Sequence, residues 1–133
     1  MTGVQTCALP ISENLLLPLE LIKRITVKDR DNVVELLARL NFADRLDSYP
    51  DRLSGGEQQR VAIARALIHD PDVILADEPT GNLDLDTGKQ VLELLDTLVK
   101  KTGKTMIMVT HSQEVIGRAD RVFSIRNKTL ASQ

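Results

Sequence analysis

The 133 residues contain no tryptophan, one tyrosine and two phenylalanines. With Phe42, Tyr49 and Phe123 as the only aromatics, no platform for stacking nucleobases is evident. Charge of one sign is equally scarce. Seventeen basic and nineteen acidic residues give a net charge of −2 with no basic block, which argues against general nucleic-acid binding. A single cysteine, Cys7, rules out a disulfide within the chain. The longest apolar run, near Leu15–Leu19, is far too short to span a bilayer and contains Pro18. No internal repeat or low-complexity tract occurs. What is present, 42% hydrophobic residues in a chain of this length, allows one domain with a modest core.

The informative stretch is 53–84. It begins with Leu53-Ser54-Gly55-Gly56-Glu57, passes through a helical run, and ends with Val73-Ile74-Leu75-Ala76-Asp77-Glu78-Pro79-Thr80 and Gly81-Asn82-Leu83-Asp84. Ser54 followed three residues later by Glu57 has capping-box spacing. Val61, Ala62, Ile63, Ala64, Ala66, Leu67 and Ile68 continue a helix that Asp70-Pro71 ends. Gly55 and Gly56 have no Cβ, so an anion can approach N–H groups at a helix N-terminus, and the Ser54 hydroxyl adds a donor. Asp77 and Glu78 end a buried-looking strand, where ligand sites of α/β sheets gather. One carboxylate there can hold Mg²⁺ and its neighbour can orient or deprotonate a water attacking a γ-phosphate. His111 follows a second apolar strand and could donate to a phosphate oxygen or to that water. Singly, each signal has a bland reading: a capped helix after a turn, two acids opening a loop, a structural histidine. Their order makes the set much stronger than its parts.

Together these residues are similar to the ATP-binding cassette (ABC) ATPases from about Glu13 to about Leu130. Leu53–Glu57 resembles the signature motif, Val73–Glu78 the Walker B motif, Leu83-Asp84 the D-loop and His111 the switch histidine. The resemblance implies ATP and Mg²⁺ as cofactors, with Asp77 serving Mg²⁺, Glu78 as catalytic base and His111 contacting the γ-phosphate. It also implies that Ser54, Gly55, Gly56 and Glu57 close on ATP held by a partner subunit, and that Asp84 communicates across that interface. Glu57 replaces the commoner glutamine, a tolerated variant. Glu13-Asn14-Leu15-Leu16-Leu17-Pro18-Leu19 and Thr80-Gly81-Asn82-Leu83-Asp84 resemble the branch containing lipoprotein-release, macrolide-efflux and cell-division ATPases. Translation-associated ABC proteins usually carry Asn-His where this chain has Gly81-Asn82. The implied partners are a transmembrane transporter subunit and a second ATPase subunit, as homodimer or heterodimer, with no nucleic acid. The implied location is the cytoplasmic face of the cell membrane.

One element of such a site is missing. A nucleotide site needs G-x-x-x-x-G-K-[ST] opening a helix. Gly103-Lys104-Thr105 ends like one, but Leu98 stands at the first glycine position, and Gly88-Lys89 is followed by Gln90. The N-terminus suggests a reason. Gly3-Val4-Gln5-Thr6-Cys7-Ala8-Leu9-Pro10-Ile11 resembles a translated short-read sequencing adapter, so residues 1–12 are expected to be a non-native leader on a truncated gene. The expected fold class is α/β, the C-terminal part of a P-loop NTPase whose phosphate-loop half is missing.

Two regions follow the leader. Residues 13–52 are expected to form a helical subdomain: a first segment interrupted by Pro18, then a helix from about Val27 to Leu40. Val33, Leu36, Leu37 and Leu40 give that helix its apolar stripe, Asp29 and Asp31 suit its first turn, and Asn41 can stop it. Residues 53–133 are expected to be a parallel βαβ core: strand 73–77, a helix from about Asp86 to Lys101 ended by Gly103, and strand 105–110. A short helix after His111, a strand near Val122–Ile125, a turn at Asn127-Lys128 and a last short strand complete it. Strand 105–110 is expected to keep an open apolar edge, which favours self-association. The function expected is that of an ATP-hydrolysing transporter subunit, here an incomplete fragment. The alternatives are a non-enzymatic module offering its signature face to another ATPase, or a non-transport ABC ATPase, although no heptads support a chromosome-maintenance coiled coil.

Overall fold

A computed structural model describes residues 8–126 and 128–132. Two helices come first, α1 (Ile11–Glu20) and α2 (Val27–Arg39), then a 3₁₀ turn at Pro50–Arg52 and the helix α3 (Gly55–Leu67). A βαβ unit follows: β1 (Val73–Asp77), α4 (Leu85–Thr102) and β2 (Thr105–Val109). The chain ends with α5 (Gln113–Ile116) and the antiparallel pair β3 (Phe123–Arg126) and β4 (Thr129–Ser132). β1 and β2 are parallel, with Val73 opposite Thr105 and Asp77 opposite Val109. The two strand pairs form separate sheets among the described residues.

Helix boundaries follow local chemistry. Thr26 and Asp29 form a capping box that opens α2, and Ser54 and Glu57 form one that opens α3. Gly103 ends α4 in the left-handed conformation (φ 64°), where a side chain would be strained. Asn41, just past α2, also lies at positive φ. Val33, Leu37 and Leu40 are buried as the α2 stripe requires. They join Ile11, Leu15, Leu16 and Leu19 of α1, Val61, Ile63 and Ala64 of α3, and Val91, Leu95 and Leu98 of α4 in one hydrophobic core.

Three features differ from the sequence reading. Pro18 does not interrupt the first helix, and α1 runs through it. A proline inside a helix costs roughly 3 kcal/mol. Burying four large aliphatic side chains of α1 yields about 1.5–3 kcal/mol each, so packing wins. The helix also starts earlier than the boundary near residue 13: Pro10 is its N-cap and Ile11 is completely buried. Cys7 lies outside the described residues. Finally, β1 is not buried on both sides. Ile74 and Ala76 face the core, while Val73 and Leu75 are exposed, as are Ile107 and Val109 on β2. Among the described residues, helices cover only one face of this two-stranded sheet. The expected turn at Asn127-Lys128 falls partly outside the described residues, and Lys128 has positive φ.

Candidate functional site

The C-terminal ends of β1 and β2 bring together residues more than thirty positions apart. Asp77 closes β1 and is exposed. Glu78 follows it at φ 44°, an unusual conformation for a residue with a side chain. Its N–H donates to the Val109 carbonyl (2.9 Å) and its carbonyl accepts from the Gly81 N–H (3.1 Å). The parallel register therefore fixes the Glu78 backbone beside the residues that leave β2.

Its carboxylate is correspondingly well held. The Thr110 hydroxyl donates to Oε2 (3.2 Å), the His111 N–H donates to Oε1 (3.0 Å), and His111 Nδ1 lies 2.6 Å from the same Oε1. Partial burial raises the Glu78 pKa, but the His111 and Thr110 hydrogen bonds outweigh it and hold the carboxyl below the usual range. Glu78 is thus an ionised, oriented acceptor. The His111 ring is 88% exposed, so beyond Nδ1 it faces open space. His111 meets a carboxylate here, a contact that spacing alone did not suggest. Thr110 was read only as the end of a strand, and its position next to His111 was the available signal.

A second cluster forms at the N-termini of α3 and α4. Ser54 Oγ accepts from the Glu57 N–H (3.3 Å), and the Glu57 carboxylate accepts from the Ser54 N–H (2.9 Å) and from Arg45 (2.8 Å). The Ser54 N–H, first, and the Arg45 charge lower the Glu57 pKa against a smaller opposing effect of burial. The capping box uses the N–H groups of Ser54 and Glu57 and leaves those of Gly55 and Gly56 outside it. Ser54 and Gly55 are exposed, but Gly56 is buried. A Cβ on Gly55 would lie 3.5 Å from Leu83, and one on Gly56 only 2.3 Å from Thr87 Cγ2. The missing side chain at 56 therefore makes room for α4. Asp84 caps α4 by accepting from the Thr87 N–H (3.0 Å), and hydrogen bonds from Thr87 hold its pKa low. Neither Arg45 nor Thr87 carried a sequence signal for these contacts.

The donor chemistry suits Mg²⁺. Asp77 offers an exposed hard oxygen at a strand end, and Mg²⁺ typically takes one or two carboxylates with water and phosphate completing its shell. No cluster of three or more His, Cys, Asp or Glu that could cage a metal occurs among the described residues.

A capped glycine pair thus opens one helix, paired carboxylates end a parallel strand, and a histidine follows the neighbouring strand. The ABC transporter family profile matches residues 5–81, and the chain belongs to that family. It is 50% identical over 126 residues to an uncharacterised ABC transporter ATP-binding protein of Mycobacterium tuberculosis, covering 92% of this chain and 49% of that protein. It is 45% identical over 119 residues to the lipoprotein-releasing system ATP-binding protein LolD of Legionella pneumophila, covering 89% and 52%. It is 58% identical over 93 residues to the macrolide export ATP-binding/permease protein MacB of Rhodopseudomonas palustris, covering 70% and 14%. A dimeric bacterial ABC transporter cassette superposes with a TM-score of 0.77 at 38% identity, covering 92% of this chain and 55% of that one. A post-hydrolysis dimer bound to ADP and Pi gives 0.80 at 33%, covering 99% and 60%. The chain is thus a partial ABC ATPase domain, spanning about half the length of most of these relatives.

Proposed function

We propose that this chain is the signature and hydrolysis portion of an ATP-binding subunit that drives a membrane-embedded partner from the cytoplasmic side. The observation that carries this reading is the Glu78 carboxylate, held ionised by Thr110 and His111 at the ends of two parallel strands. Glu78 accepts the proton of the attacking water. The exposed His111 ring would turn toward a phosphate oxygen, and Asp77 would hold Mg²⁺. Mg²⁺-ATP, when bound, supplies the electrophilic γ-phosphorus and its counter-charge. Ser54, Gly55, Gly56 and Glu57 form the face presented to nucleotide on a second ATPase subunit, with Asp84, the N-cap of α4, beside them. Two features of the structural relatives support this reading: their dimeric state, and the ADP and Pi bound to one of them. Among the described residues, no helix is long and apolar enough to cross a membrane.

The test begins with the DNA upstream of this coding sequence. An in-frame G-x-x-x-x-G-K-[ST] should be found there. In the completed cassette, Glu78→Gln should lower ATP turnover by roughly 100-fold or more while Mg-ATP binding persists. A complete upstream region without that loop, or a Glu78→Gln cassette that still turns over, overturns the proposal. The first outcome would favour the non-enzymatic module.

A further inference from the structure

All three side-chain contacts that fix the Glu78 carboxylate come from Thr110 and His111, but they differ in how firmly each is anchored. The His111 N–H is part of the backbone that leaves β2. Thr110 is half-buried, and its Oγ accepts from the Ser112 N–H (3.0 Å) while donating to Glu78 Oε2 (3.2 Å). A hydroxyl has one hydrogen and two lone pairs. The Ser112 N–H occupies a lone pair and leaves the hydrogen for the carboxylate. The imidazole makes the shortest of the three contacts (2.6 Å), but its ring is almost wholly exposed and no other hydrogen bond is seen to hold it among the described residues.

We propose that Thr110 is a positioning residue: with the residue-111 N–H it holds Glu78 in place by itself, so the His111 ring can leave the carboxylate for a phosphate without releasing the base. This role rests on Glu78 being the base proposed above. It reconciles the expectation that His111 touches phosphate with the observation that it touches Glu78. It also explains how Glu78 keeps its aim from a φ of 44°, a conformation that persists only when its surroundings over-determine it.

Amide hydrogen exchange at residue 111, followed by NMR in the 133-residue chain, tests this without nucleotide. That N–H reports directly on whether the carboxylate is in place. His111→Ala should change its exchange by less than about twofold. Thr110→Val should accelerate it roughly five- to tenfold, the worth of one net hydrogen bond, and Thr110→Ser should restore it. The β2 amides, unchanged, would show that the fold is intact, and Thr110→Ala replaces the valine variant if that one unfolds. Equal acceleration by His111→Ala, no acceleration by Thr110→Val, or no rescue by serine overturns the proposal. Because the readout needs no ATP, its failure is distinct from failure of the upstream-loop test.

Discussion

Gly56 and Thr87 occupy one another's space: a Cβ at 56 would stand 2.3 Å from Thr87 Cγ2. Thr87 is held there because its N–H is capped by Asp84. The start of α3 and the start of α4 are therefore locked together through a missing side chain. Gly56→Ala should destabilise the chain by about 1–3 kcal/mol, outweighing the fraction of a kcal/mol that alanine gains in helix propensity. Thr87→Ser removes the opposing methyl, so the double variant should recover most of the loss. Urea denaturation of the four proteins checks this, and a Gly56→Ala chain as stable as its parent contradicts it.

Asp29 is the buried carboxylate of the α2 capping box. Lys23 Nζ lies 2.6 Å from it, and both the N–H and hydroxyl of Thr26 donate to it. The Lys23 hydrogen bond, followed by those from Thr26, lowers its pKa from 3.8 to about 2. A depressed folded-state pKa contributes stability that is fully present above the unfolded value and lost as pH falls through the folded one. Stability from this residue should therefore be flat above about pH 4 and decline from there toward pH 2. Asp29→Asn should be less stable at neutral pH, with the difference shrinking across that acid window. An unchanged difference between pH 5 and pH 2 in urea midpoints would contradict the assignment.

The 133 residues contain no G-x-x-x-x-G-K-[ST], so neither cluster has a lysine loop with which to hold the β- and γ-phosphates. Titrated calorimetrically with Mg-ATP, this chain should show no micromolar binding, and it should not turn ATP over alone. A micromolar isotherm abolished by Asp77→Ala would show that the residues present suffice.

Leu75 is 64% exposed, and Ile107 and Val109 beside it on β2 are 56% and 64% exposed. Among the described strands, β2 pairs only with β1, so its other edge carries unpaired N–H and C=O groups. An apolar face next to an open edge favours association. Sedimentation velocity should show mass increasing with concentration, and Ile107→Lys should shift the chain toward monomer. A concentration-independent monomer for the parent chain would refute this.

The sequence by itself determined whatever depends on a few neighbouring residues. Ser54 with Glu57, the α2 stripe of Val33, Leu37 and Leu40, Gly103 after α4, and two apolar runs around an amphipathic helix set most elements to within a residue or two. The order of its motifs was enough to suggest the family. What tertiary structure alone decided lies beyond that range. Local rules read Pro18 as a break, but four aliphatic side chains buried along α1 override it. Local rules read β1 as buried, but among the described residues no layer covers its second face, where Val73 and Leu75 are exposed. The role of Gly56 required knowing that Thr87 packs against it, thirty-one positions away. The contact of Glu78 with Thr110 and His111 required the parallel register of two strands, a fact of pairing across the chain that no spacing within either strand can specify.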